Sequence, residues 1–205
     1  MKVLGVILDW RLTFQKHAMA AARSCNYHVH AIRHIHLLTT ELAQTLACSL
    51  ILSRIDYCNA LLHGAPTGTI QTLQRVQNNA ARIVCQVPRR SDAKPLLHRL
   101  HWLPIKQRIL YKTAVITFKV RQTSTPVYLS QHIKPRDCAR HLRSSNTSLL
   151  ALPTSRTHFA GRGFRLSAPA VWNSLPRTVL DSPSLTVFKS RLKTHLFHAA
   201  YNNNE

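Results

Sequence analysis

The sequence predicts a mainly α protein, a basic helical bundle with one short N-terminal β-strand and a loop-rich C-terminal part that ends in a helix. Three observations predict it. Apolar residues recur at three- and four-residue steps through several long stretches, the period of amphipathic helices. Only the run from Lys2 to Asp9 is β-branched in the manner of a strand. Between Thr123 and Arg165, prolines and glycines interrupt that periodicity and mark loops. The composition, 205 residues with 45% hydrophobic and 17% charged, is that of a chain able to bury a core.

The opening strand, KVLGVILD, has a glycine inside it and needs partners. It is expected to be the last strand of a sheet whose remainder lies upstream of Met1 or is absent; the alternative is pairing with Leu149 to Leu152. A helix should follow from about Thr13 to His36. It carries Cys25, His28, His30, His34 and His36. His30 and His34 share a helix face at a spacing zinc can use, but Cys25 lies on another face and no second ligand pair follows. These imidazoles therefore read as hydrogen-bonding or helix-packing groups, and no metal or cofactor is assigned.

Thr39 or Thr40 should cap the next helix, with Glu41 in its first turn. Leu42, Leu46, Leu50, Ile51, Ile55 and Leu61 make it the central helix of the bundle, ending at Gly64-Ala65-Pro66. Arg54, Asp56 and Asn59 sit in this apolar setting. They read as an internal ion-pair or helix-cap network in preference to a catalytic group.

The stretch from Ile70 to Val87 is read as a helix with two faces. Ile70, Leu73, Val76, Ala80, Ile83, Val84 and Val87 form the apolar one, Thr67 or Thr69 should cap it, and Pro88 ends it. The other face holds Gln71, Arg75, Asn78 and Arg82, continued by Arg89, with no acidic residue. Guanidinium groups fork onto phosphate oxygens and amides bond phosphate, sugar or base edges, although such a stripe also suits plain solvation. After Arg89 and Arg90, Leu96, Leu100 and Trp102 close a short helix or turn. Pro104 starts the next helix, with Lys106, Arg108, Lys112 and Lys119 on it. Trp102 reads as a core anchor in preference to a base-stacking ring.

From Thr123 to Arg165, Arg136, Arg140, Arg143, Arg156, Arg162 and Arg165 face only Asp137, which makes this segment a candidate backbone-tracking arm. Ser167-Ala168-Pro169 should cap a short helix through Trp172, and Asp181-Ser182-Pro183 should start the last one. There Leu185, Phe188, Leu192, Leu196 and Ala199 face inward and Lys189, Arg191 and Lys193 outward. The organisation expected is thus a strand remnant at 1–12, helices over 13–122, basic loops over 123–165 and terminal helices over 166–205, with a frayed tail.

Charge selects the partner. Twenty-eight Lys and Arg against seven Asp and Glu give a formal charge of +21, before any of the 13 His is protonated. A chain that repels itself this strongly suits a polyanion, and nucleic acid is the commonest. A membrane surface fits less well, because the cations are spread along the chain instead of forming one polybasic block. Five cysteines, Cys25, Cys48, Cys58, Cys85 and Cys138, form no CxxC pair and read as reduced thiols of an intracellular protein. The apolar run VLGVIL is broken by Asp9, too short for a secretion signal or a spanning helix. Neither a membrane nor a small-molecule substrate is implied, and oligomeric state is not legible. An alternative from another class is a basic helical protein-interaction module.

The segments KVLGVILDWRLTFQKH, SRIDYCNALLHGAP, LQRVQNNAARIV, LHWLPIKQRILYK, APAVWNSLP and FKSRLKTHLF occur in that order. The series resembles the carboxy-terminal portion of the reverse transcriptase of LINE-type (non-LTR) retrotransposons of the CR1, L2 and Rex kind, over nearly the whole chain. The resemblance implies that KVLGVILD follows the palm near the primer-gripping region, that the helices to about Val120 form a thumb, and that the rest is a terminal domain. It also implies that Arg75, Arg82, Lys106, Arg108 and Lys112 help hold template and primer. It brings no catalytic residue. Polymerases of this kind hold two metal ions on paired aspartates, whereas Asp9, Glu41, Asp56, Asp92, Asp137, Asp181 and Glu205 are scattered. The chain is therefore not expected to be an enzyme by itself. The candidate nucleic-acid-binding set is Gln71, Arg75, Asn78, Arg82, Arg89, Arg90, Lys106, Arg108 and Lys112.

Overall fold

The computed structural model describes residues 1–34, 39–136, 149–157 and 160–202. The fold is mainly helical with one short two-stranded sheet. Two compact units form, residues 1–108 and 109–205.

The first unit opens on a hairpin. β1 (Lys2–Val3) pairs antiparallel with β2 (Val6–Ile7), Lys2 opposite Ile7 and Val3 opposite Val6. Leu4 and Gly5 both take positive φ, 46° and 81°, which is what a two-residue loop requires if its twist is to match the strands. The expected single strand is thus folded on itself into a hairpin, and Leu150 bridges Pro135 instead. The glycine inside the run was the turn.

Helix α1 (Gln15–Arg33) follows. Its N-terminus is held by Asp9, whose carboxylate accepts from Thr13 N at 2.9 Å, Phe14 N at 2.8 Å and Thr13 Oγ1 at 3.1 Å. The backbone N–H of Thr13 is the chief reason the Asp9 carboxyl lies below its ordinary value. One face of α1 buries Ala18, Ala22, Cys25, Val29 and Ile32, and it packs mainly on α4 (Thr67–Val84). Alanines on both, including Ala80 and Ala81, let the two helices approach closely.

Between them the apolar run is not one helix. It divides into α2 (Thr40–Ala47), a π-helical turn at Cys48–Leu52, α3 (Ser53–Asp56) and a 3-10 turn at Asn59–Leu62. Thr39 caps α2 through Leu42 N, as its sequence predicts. Beyond Asp56, Tyr57 is extended and Cys58 left-handed, so the helix stops well short of Leu61. Apolar content had carried the expectation past a break that is set by backbone turning.

Helix α4 begins without a side-chain cap, in contrast to the expected role of Thr67 or Thr69. Thr67 is already helical and Thr69 is buried. It ends at Val84 through Gln86 in the left-handed region, with Val87 N bonded to Arg82 O and Gln86 N to Ile83 O, both 3.0 Å. That is a Schellman closure. Helix α5 (Lys94–Arg99) closes in the same way, His101 left-handed and Trp102 N bonded to Leu97 O at 2.9 Å. Trp102 is only 4% exposed, so it is a core residue.

Helix α6 (Ile105–Thr123) spans the unit boundary. In the second unit its residues Ala114, Val115, Phe118 and Val120 are buried. Phe118 stacks on Phe188 at 4.3 Å between centroids, and Trp172 lies 5.8 Å from Phe188. These three rings are the centre of that core. Trp172 belongs to α8 (Phe164–Asn173) and Phe188 to α10 (Leu185–Tyr201); α7 (Val127–Ser130) and α9 (Arg177–Leu180) are short. Helix α8 starts at Phe164, so Pro169 lies inside it instead of opening it. Burial of Ala168, Pro169, Val171 and Trp172 compensates for the hydrogen bond that proline cannot make. Ser184, not the Asp181–Pro183 turn, caps α10 through Val187 N.

The described loops between α7 and α8 are tied down at Leu150. Arg136 N bonds to Leu149 O and Ala151 N to Lys134 O. From the other side, the Asn173 amide takes Leu150 N at 2.9 Å and gives to Leu150 O at 2.8 Å. Arg140, Arg143, Asp137 and Cys138 of the expected arm lie outside the described residues, as do His36 and Glu205. Among the described residues no helix is long and apolar enough to cross a membrane.

Candidate nucleic-acid interface

The candidate residues divide into those held by a polar network and those left facing solvent. The network starts on α4. Gln77, fully buried, donates Nε2 to Leu103 O at 2.9 Å. Gln74 accepts from Ile105 N at 2.9 Å, so a side chain of α4 supplies the partner for the first N–H of α6. Its own amide nitrogen donates to Gln77 Oε1 at 3.0 Å and Asn78 Oδ1 at 2.8 Å.

Arg108 completes the network. Its Nε donates to the same Leu103 carbonyl at 2.9 Å, and Nη1 meets Asp56 Oδ2 at 2.6 Å. Asp56 Oδ1 in turn accepts from Asn59 Nδ2 at 3.1 Å. The internal network expected around Asp56 and Asn59 therefore exists, but its cation is Arg108. Arg54 points elsewhere, donating to Ser24 Oγ at 2.7 Å.

The structure thus sorts the nine candidates. Arg108 is half-buried, with Nε on Leu103 O and Nη1 on Asp56 Oδ2. Asn78 is half-buried and accepts from Gln74. Arg82, also half-buried, bonds Ser91 O at 2.9 Å and Asn79 Oδ1 at 3.1 Å, holding the turn after α4. Gln71 and Arg75 on α4, Arg89 and Arg90 in the following turn, and Lys106 at the start of α6 are exposed. Lys112 is exposed on the part of α6 that belongs to the second unit. The buried face of α4 is turned slightly from the expected one: Gln77 and Ala81 are fully buried, while Ile70 and Ile83 are only half-buried.

Other groups were not singled out by pattern. A cavity of about 440 Å³ in the first unit is lined by Lys2, His17, Ser24, Arg54 and Tyr57 among others. Its residues come from the hairpin, α1 and α3, so no spacing along the chain announces it. Burial lowers the pKa of His17. Tyr57 donates to Leu4 O at 2.5 Å and fastens the hairpin turn.

The described members of the Cys25–His34 cluster do not gather. Cys25 is buried with Sγ 3.6 Å from Ile51 O, and burial pushes its thiol up to about 11. His28 sits edge-on to Tyr27, and His30 and His34 are exposed. Among the described residues no three His, Cys, Asp or Glu side chains are placed to hold a metal ion.

No family model, curated protein or solved structure matches the chain.

Proposed function

We propose that this chain is a nucleic-acid-binding segment of a LINE-type reverse transcriptase, gripping an RNA or DNA template–primer duplex, with the bond-making step assigned to none of its residues. What carries the reading is the exposed basic set on the first unit, Arg75, Arg89, Arg90 and Lys106, none of which is ion-paired to a described carboxylate, in a chain of net charge +21. Cations without carboxylate neighbours are free to displace counterions from phosphates. The ordered motif series adds the template–primer expectation. Arg82, Asn78 and Arg108 are given a supporting role: they shape the α4–α6 surface that presents the others.

Binding of a labelled RNA–DNA hybrid, competed in parallel by an acidic polypeptide of equal charge, tests the proposal. Preferential retention of the hybrid, weakened by combined Arg75→Ala, Arg89→Ala and Arg90→Ala, is expected. Equal displacement by the polypeptide would favour a protein-interaction module instead.

A further inference from the structure

We propose that the second unit carries a phosphate-binding subsite built from Lys134 and Arg165, which takes a backbone phosphate of the polynucleotide; it rests on the function proposed above. A cavity of about 270 Å³ is lined by Gln131, His132, Lys134, Leu152, Pro153 and Arg165 together with Ala151. Drug-sized ligands occupy about 300–1,000 Å³, so this space suits one sugar–phosphate unit better than a larger molecule.

Its walls are fixed. Lys134 lies on the segment whose carbonyl holds Ala151 N at 2.9 Å, and Leu150 is clasped on both backbone groups by Asn173. Asn173 closes helix α8, and Arg165 is the second residue of that helix. The two cations are thus carried on one hydrogen-bonded frame although 31 positions separate them in sequence. Among the described residues no acidic side chain lines the cavity, and neither Lys134 nor Arg165 has a carboxylate partner. Placing two like charges on one small concavity is unfavourable until an anion enters it.

The chemistry fits a phosphate. Arg165 offers a planar fork and Lys134 a compact ammonium, while the Gln131 amide can donate to a further oxygen. Leu152 and Pro153 give an apolar wall for the sugar. The same groups would accept free phosphate, so the two sources are separated by experiment.

The full chain and a Lys134→Ala, Arg165→Ala double variant are titrated with a labelled RNA–DNA hybrid over a range of salt, and separately with inorganic phosphate while amide NMR shifts of Gln131 and Ala151 are followed. Both side chains are exposed, so the variant keeps its fold, checked by circular dichroism; a Gln pair serves as a second variant. The expected result is a salt slope smaller by about one in the variants, since one phosphate contact is lost. Unchanged slope and affinity overturn the subsite while leaving the proposed function standing. If wild type ignores the hybrid, the proposed function fails; phosphate-dependent shifts at Ala151 that vanish in the variants still support an anion site there, and their absence overturns it.

Discussion

Asp56 and Arg108, 52 positions apart in the sequence, meet with Oδ2 and Nη1 2.6 Å apart, and the same guanidinium holds the Leu103 carbonyl that also accepts from Gln77. One ion pair therefore ties the end of α3 to the start of α6 and, through Gln77, to α4. The Arg108 side chain is 15% exposed and that of Asp56 37%, between a surface pair and a buried one.

Arg108→Ala is expected to destabilise the first unit by about 1–3 kcal/mol, because it removes the cation beside a half-buried carboxylate and a donor from Leu103 O. Urea unfolding should show this. Lys106→Ala, two positions away and exposed, should leave the unfolding midpoint in place and weaken only nucleic-acid binding. The two variants separate support of the surface from contact with the ligand.

Arg82 gives a second contrast. Its bonds to Ser91 O and Asn79 Oδ1 brace the turn that carries Arg89 and Arg90. Arg82→Ala should lower stability by about 0.5–1.5 kcal/mol. Arg75→Ala, on the same helix but exposed, should not change stability measurably, yet should reduce affinity for any duplex sequence alike, as phosphate contacts do.

Asn173 stands in for a missing strand beside Leu150. Asn173→Ala leaves a buried N–H and C=O without their partner and should cost the second unit about 1–3 kcal/mol. Asn173→Asp keeps the acceptor for Leu150 N but sets a carboxylate oxygen against Leu150 O, so thermal unfolding near neutrality should place it no higher than Asn173→Ala.

Asp9 supplies the pH dependence. Its carboxyl lies below the ordinary value of 3.8, chiefly through Thr13 N–H, so the folded state binds that proton less readily than the unfolded one. The stabilisation is complete above 3.8 and is lost as the pH falls through the lowered value in the folded state. Asp9→Asn should therefore be less stable than wild type near neutrality, and the gap should narrow in acid. A gap that widens on acidification would contradict the assignment.

Much of this architecture was legible because helices announce themselves by period. The existence of α1, most of the apolar faces of α4 and α10, the Thr39 cap and the buried Trp102 follow from local spacing and residue type. The rest depended on pairings that spacing cannot carry. Arg108 looked like any exposed cation until Asp56 arrived from 52 positions away. Gln74 and Gln77 are singled out by no sequence pattern, because their partners, Ile105 N and Leu103 O, are backbone groups that spacing does not mark. Pro88 marks the end of α4 only to within a few residues, because Gln86 and His101 end their helices in a conformation usually signalled by glycine. Of the candidate interface, Gln71, Arg75, Arg89, Arg90, Lys106 and Lys112 are exposed, and Asn78, Arg82 and Arg108 bond to their own scaffold.

The most direct test of the central claim is the equilibrium affinity of the whole chain for an RNA–DNA hybrid as a function of salt. The account predicts that log Kobs falls linearly with log salt concentration, with a slope reporting several phosphates. An affinity independent of salt, or no binding at about 0.1 M ionic strength, where exposed charges still act over roughly 10 Å, would contradict it.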